Sequence, residues 1–469
     1  MKKNYCNHPK AILLLILLMW WAVPGQAQNN QKPTKDQQLI RKMYNLSLTQ
    51  PKAYEWLDFL CNKIGGRLAG SPQAAAAVEF TRQVMDTLGV DRVFLQEVMV
   101  PHWVRGDQEV GKIINSKNIG SQEVRVCALG NSVGTGGQGI AAEVVEVKSF
   151  DELRKLGKGA VQGKIVFFNR PFDNTKIATF RAYGGAVNQR GSGASEAAKL
   201  GAIGVVVRSM TGRIDDHPHT GSLRYQLNVP KIPAVAISTK GAELLSGLLK
   251  DDRKLKFYFR TTCKMLKEKK SYNVVGELKG TQYPNEIIVV GGHLDSWDTG
   301  DGAHDDGAGV VQSMDVLRLI KAAGIKPKRT IRAVMFMNEE NGLRGGRKYA
   351  ELAAQNKEKH IAALESDAGG FSPRAIGINN DFKKFDKVQK WSTLFAPYGV
   401  LLRKGGGGAD IGPLRTQGVT IMGLSPDGQR YFDYHHTETD TFDKVNPREL
   451  QLGAAAMATM VYLLSEYGL

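Results

Sequence analysis

The sequence predicts an α/β protein: a mostly parallel sheet sandwiched by helices, with a β-rich module inserted ahead of the main part of the sheet. Three observations carry this. From residue 272 onward, apolar runs of strand length alternate with helical patterns. Before that, between about 125 and 260, short apolar runs are punctuated by glycine-rich turns such as Gly134 to Gly139. The third is a stretch directly after the buried-strand pattern Glu286-Ile-Ile-Val-Val290. Residues 291–309, GGHLDSWDTGDGAHDDGAG, pack five Asp and two His among six glycines. Such charge density does not belong in a core. At the end of a strand, on a backbone free to bend, it fits a ligand site.

Residues 1–27 stand apart. Lys2, Lys3 and Lys10 precede an apolar run from Ala11 to Val23, Pro24 ends it, and Gly25 and Ala27 are small. This is the pattern of a secretory signal, with cleavage expected after Ala27 and a secreted or periplasmic location. The alternative, a membrane anchor, needs roughly 20 apolar residues. Cys6 lies before the run, which does not suit a lipoprotein. No other stretch of the chain is long and apolar enough for a span.

The mature segment opens with polar residues 28–38, then helical spacing over 39–61 (Leu39, Met43, Leu46, Trp56, Leu57, Leu60). A glycine loop at 65–71 leads to a helix over 72–88, with Ser71 as cap and Pro72 in its first turn. Residues 93–100 alternate as a strand. The module at 125–260 carries strands at 142–147, 164–168, 204–207 and 234–237, with helices at 194–200 and 240–249. The remainder, 261–469, places strands at 286–290, 330–337, 361–366 and 418–424. Helices fall at about 307–322, 343–354, 381–397 and 447–466. Residues 28–124 form the N-terminal part of the same domain.

Composition is globular, at 42% hydrophobic and 23% charged. The net charge of +17 falls to +14 once the three lysines of the leader are removed (17 − 3). The basic residues are scattered. The densest run, Lys264 to Lys270, lacks interleaved aromatics, so a solvated surface is expected and nucleic-acid binding is not. Cys61, Cys127 and Cys263 remain in the mature segment. Their odd number and wide spacing fit free thiols and exclude a thiolate metal site.

The polar clusters all follow predicted strands. His293 follows 286–290, Glu339 and Glu340 follow 330–337, Asp367 follows 361–366, and Tyr434, His435 and His436 come after 418–424. Each taken singly is an ordinary loop or capping residue. Together they converge on one edge of the sheet. Carboxylates gathered there repel one another unless a cation joins them. Mixed His and carboxylate ligands suit zinc, and ligands from four strand ends fit a two-metal site.

At these residues the sequence resembles the co-catalytic di-zinc exopeptidases of the aminopeptidase type, and within them the carboxypeptidase Q subgroup. The resemblance rests on His293-Leu-Asp-Ser-Trp-Asp298, Asp305-Asp306-Gly307, Glu339-Glu340, Glu365-Ser-Asp-Ala-Gly369, and His435-His436 with Asp440. Pro101-His102-Trp103, Ser149-Phe-Asp-Glu-Leu153 and Val229-Pro-Lys-Ile-Pro233 extend it over nearly the whole mature chain. It implies a zinc exopeptidase fold with an inserted protease-associated domain, two zinc ions per chain, and a possible homodimer. His293 and Asp367 would hold one ion, Glu340 and His436 the other, and Asp305 would bridge. Glu339 would be the general base for an attacking water, and Asp295 would orient His293 from behind. His435 or Tyr434 would stabilise the oxyanion. Asp410, in the loop from Gly405, is the candidate for the substrate's amino end. A cis peptide is expected between Asp305 and Asp306. His304 and Asn338 depart from the family pattern without removing a ligand, and His304 is expected to hold a loop.

The implied function is a secreted zinc-dependent exopeptidase acting on dipeptides or short peptides with free termini. The alternatives are an aminopeptidase on longer peptides, or a metal-binding relative without hydrolytic activity, of cyclase or receptor type.

Overall fold

Residues 32–379 and 382–469 are described by a computed structural model. The leader reading of residues 1–27, Cys6 included, lies outside them. Two eight-stranded sheets organise the molecule. The larger runs in the order Arg92–Val104, Lys264–Leu278, Arg329–Phe336, Tyr283–His293, Lys359–Glu365, Thr420–Pro426, Pro373–Ile378, Leu401–Lys404. Its four central strands, Arg329–Phe336 through Thr420–Pro426, are parallel. Antiparallel pairs extend the sheet on both sides.

The central strands are apolar because both faces are covered. Along the Tyr283–His293 strand, Ile288 and Val290 join the core cluster beneath helices Ala308–Ala322 and Pro447–Tyr467. Ile287 and Val289 face the opposite cluster, with Tyr349, Ala350 and Ala353 of helix Arg344–Gln355. This is the two-residue period of a strand buried on both sides. Helix Pro72–Thr87 starts as expected, with the Ser71 hydroxyl accepting from the Ala74 N–H at 3.0 Å.

The second sheet has the order Gly120–Glu123, Val110–Ser116, Lys256–Arg260, Ile140–Val147, Ile165–Phe168, Gly204–Arg208, Ala234–Ile237, Val126–Ala128. It moves the expected start of the module from 125 to Val110, because two further strands pair into it. Gly120–Glu123 is exposed throughout, and in Val110–Ser116 the apolar residues are interrupted by Gly111 and Lys112. The module is also more than β-rich. Strands from Ile140–Val147 to Ala234–Ile237 are parallel, and four helices accompany them.

Two other elements differ from expectation. The basic run Lys264–Lys270 is the exposed half of a long strand whose other half is mostly buried. It pairs with Arg92–Val104 and protrudes into solvent. The helix expected over 381–397 is broken into Phe382–Gln389, Ser392–Phe395 and a 3₁₀ turn at Ala396–Tyr398, where Pro397 sits. Cys61, Cys127 and Cys263 are free and buried.

Candidate metal centre

The parallel strands deliver the clustered residues to their carboxyl ends, at one edge of the large sheet. His293 is the last residue of its strand. Its Nδ1 lies 2.8 Å from the Asp295 carbonyl oxygen, which turns Nε2 toward the cluster. There Nε2 is 3.2 Å from Asp305 Oδ1 and 3.5 Å from Asp367 Oδ1. Across the cluster, His436 Nε2 is 3.2 Å from Asp305 Oδ2 and 3.1 Å from Glu340 Oε2. The two oxygens of Asp305 thus face two different histidines.

The loop that holds Asp305 is fixed from several sides. The peptide between Asp305 and Asp306 is cis. The Asp440 carboxylate accepts from the backbone N–H groups of His304 and Asp305, at 2.8 and 3.0 Å. Asp306 accepts from His293 N–H and Gly309 N–H, so its oxygens serve the backbone. Buried Arg67 donates to the carbonyls of Leu294, Asp301 and Gly302. Gly309 is required by close approach: a Cβ there would lie 1.9 Å from the Ser366 carbonyl oxygen. His304 holds the loop as expected, accepting from Gly370 N–H at Nδ1 and stacking on Phe371.

These donors fit zinc. Three overlapping groups of His and carboxylate atoms each lie within 4.8 Å of one another: His293, Asp305 and Glu340; Asp305, His435 and His436; and His293, Asp306 and Asp367. Glu340 Oε1 is buried without a hydrogen-bond donor, and Asp305 Oδ2 has only the imidazoles of His436 and His435 beside it. Burial pushes Glu340 up to about 7, with the Asp305 charge adding to it. Glu339 is pushed well above the usual carboxylate range by burial, with the charges of Asp367 and Glu340 adding. Burial alone would lower His436, but the Glu340 charge overrides it and lifts the imidazole to about 10. Carboxylates crowded enough to resist ionisation, with imidazole nitrogens beside them, form a site whose mutual repulsion a divalent cation would relieve.

The structure corrects three sequence expectations. Asp295 orients His293 through its main-chain carbonyl. Its carboxylate instead accepts from the N–H groups of Asn338, Glu339 and Glu340, fixing the turn that presents the two glutamates. Tyr434 does not line the cavity above the cluster. Its ring stacks on His304 and Phe371, and Tyr431 faces the cavity instead. Asp410 is fully buried, and only its neighbour Ala409 lines the cavity. Burial and nearby Glu365 push its carboxyl well above its ordinary value.

The cavity measures about 630 Å³, and His293, Asp305, Glu339, Glu340, Asp367 and His435 line it. Sequence reasoning missed the part that comes from the second module. Phe180, Tyr183, Arg190 and Arg224 also line it. Phe180 stacks on Tyr431, Tyr183 stacks on Phe432, and Arg190 is buried beside His436. The one hint was an arginine in the helix Asn188–Ala198, which is otherwise rich in Gly, Ala and Ser.

The model of peptidase family M28 matches residues 273–461. Carboxypeptidase Q of Bos taurus is 35% identical over 432 residues, covering 91% of this chain and 89% of that protein. Carboxypeptidase Q of Homo sapiens is 35% identical over 89% of this chain and 86% of its own. Among solved structures, a peptidase M28 precursor from Shewanella amazonensis SB2B superposes with a TM-score of 0.87 at 35% identity, covering 92% of this chain and 96% of that one. A zinc aminopeptidase from Bacillus subtilis shares the fold, with a TM-score of 0.64 at 20% identity over 87% of this chain and 94% of its own. With zinc-type ligands gathered at its sheet edge and these relatives along its length, the chain is a zinc exopeptidase that belongs to peptidase family M28, in its carboxypeptidase Q subgroup.

Proposed function

We propose that the chain is an exported exopeptidase that cleaves dipeptides and short peptides with free ends, using two zinc ions. The observation that carries this is Asp305, whose Oδ1 turns to His293 and Oδ2 to His436. In this reading His293 and Asp367 would hold one ion and Glu340 and His436 the other, with Asp305 available to both. Zinc bound there polarises a carbonyl oxygen and lowers the pKa of a water toward neutrality. The chain's own groups do the rest. Glu339, which lines the cavity and neighbours Glu340, takes the proton of the attacking water and returns it to the leaving amine. His435 lines the same cavity, and burial and the adjacent His436 hold its imidazole well below the usual range. It therefore stays neutral and offers an N–H to the carbonyl oxygen as charge develops there.

Cavity size and charge support a small substrate. A volume of about 630 Å³ accommodates a dipeptide. Arg224 and Arg347 line it and have no ion-pair partner among the described residues, so they suit a free carboxylate. An adjoining cavity of about 590 Å³ shares Phe180 and Asp367. It supports a second reading, aminopeptidase action on longer peptides. Residues 1–27 support export, and no helix among the described residues is long and apolar enough to cross a membrane. The module from Val110 to Arg260 is read as protease-associated.

The test is zinc content and dipeptide hydrolysis of the purified mature protein beside Glu339→Ala. About two zinc per chain, with cleavage lost in the variant while metal stays, is expected. Two zinc with no cleavage of any dipeptide would sink the reading and favour a cyclase or receptor role.

A further inference from the structure

The second module reaches into the metal centre through one short segment, His217-Pro-His-Thr220. His219 Nδ1 lies 2.8 Å from the His435 carbonyl oxygen and donates to it. The Thr220 N–H donates to the His436 carbonyl oxygen at 2.9 Å. The Thr220 carbonyl oxygen lies 3.3 Å from His436 Nδ1, as does Arg190 Nη1, which also donates to that carbonyl at 3.4 Å. Both peptide groups of the histidine pair are thereby tied to a chain segment more than 200 residues away.

The segment is itself anchored in the core of its module. His219 N–H donates to the Ser209 hydroxyl at 2.8 Å, and that hydroxyl donates to the Ile237 carbonyl at 2.7 Å. The Thr220 hydroxyl donates to the Ala128 carbonyl at 2.8 Å. These anchors lie on or directly after three neighbouring strands, Gly204–Arg208, Ala234–Ile237 and Val126–Ala128. His219 and Thr220 are buried. The clamped residue needs holding: His436 has φ of 64°, in the left-handed region that a residue with a Cβ avoids.

We infer that the His219–Thr220 segment positions His435 and His436, so that the second module builds half of the metal centre. With the Nε2 lone pair given to the ion shared with Glu340 and Asp305, the hydrogen of His436 sits on Nδ1, where the Thr220 carbonyl is its acceptor and Arg190 donates to that same carbonyl. His219 sets the direction of the His435–His436 backbone. Neither touches the ions or the substrate. This rests on the two-ion reading above. It goes beyond that reading in giving one ion, and not the other, a dependence on the inserted module. Partners behind a metal-binding histidine ordinarily change metal affinity by about 10–100-fold.

The experiment is chelator competition on the full mature protein, following zinc stoichiometry, with the visible spectrum of the cobalt-substituted protein as a second readout. His219→Leu removes the donor; His219→Asn keeps an N–H where Nδ1 stood. His219→Leu is expected to weaken one metal equivalent by about tenfold to a hundredfold and leave the other unchanged. His219→Asn is expected to restore both equivalents and the cobalt spectrum. Two full-affinity equivalents in His219→Leu would overturn the inference. So would equal weakening of both ions, or an asparagine variant no better than the leucine one. If His219→Leu does not fold, His219→Gln, which keeps the bulk but misplaces the donor, answers the same question. His436→Ala separates the two readings. It must lose the same equivalent, and if it keeps both, the assignment of the ions has failed and not the clamp.

Discussion

The two histidines that face Asp305 have opposite origins. His293 ends a core strand, and the carbonyl that orients it belongs to Asp295, two residues on. His436 lies in a loop after the short helix Tyr431–Tyr434, in a left-handed backbone conformation, and its oriented nitrogen faces Thr220, 216 residues away. The first is held by its own sheet, and the second also contacts the second module. Asp305 alone serves both, so Asp305→Ala has the largest expected effect, loss of both metal equivalents and of all measurable turnover, checked by metal analysis. Retention of one equivalent would break the bridging assignment.

Metal removal tests the same balance electrically. In the metal-free protein burial raises Glu340 to about 7 and Asp440 to about 8, and His436 stands at about 10. All three bind protons in the folded state that the unfolded chain has released above pH 6.5. Between about pH 6.5 and 8 the folded state therefore binds more protons, and its stability falls as pH rises. Buried His219, His304 and His360, lowered to about 3, 4 and 4 by burial, act in the opposite sense, but below pH 6.5. Chelated protein is expected to lose about 2 kcal/mol or more across that window. The zinc-loaded protein is not. Denaturant melts at three pH values decide it.

Asp295→Asn sharpens the contrast from the His293 side. The main-chain carbonyl that holds His293 survives the change, while the carboxylate that accepts three N–H groups from Asn338, Glu339 and Glu340 does not. The expected result is a fall in kcat of about 10–100-fold with weaker binding of the ion shared by Glu340. The ion at His293 is expected to stay. Loss of the His293 ion would restore the carboxylate to the role that the family resemblance implied for it.

The difference in origin also explains what was legible in the sequence. Strands at 286–290 and 330–337, and the ligands directly after them, follow from local pattern, because burial on both faces forces continuous apolar runs. The aspartates at 305 and 306 and the glutamates at 339 and 340 stand out for the same reason. The roof of the site was not legible. Arg190, His219 and Thr220 act through contacts more than 200 residues distant in sequence, and no periodicity marks them. The strand Lys264–Leu278 was hidden because half of it projects into solvent and reads as a charged loop. Tyr434 was misassigned to the cavity because a four-residue helix, Tyr431–Tyr434, turns its first tyrosine inward and its last toward His304.

Asp410 gives the smallest expected effect. Sequence position placed it at the substrate's amino end, but it is fully buried, and both its carboxylate oxygens lack a donor. Burial, with Glu365 beside it, favours the protonated form, which an asparagine resembles in charge and volume. Asp410→Asn is therefore expected to change KM for a dipeptide by less than about twofold, within about 0.5 kcal/mol. Arg224→Ala, on the cavity wall that the second module supplies, is expected to raise KM by about tenfold for a free dipeptide and much less for its C-terminal amide. A larger effect from Asp410 than from Arg224 would move substrate recognition back to the catalytic sheet and leave the second module with positioning alone.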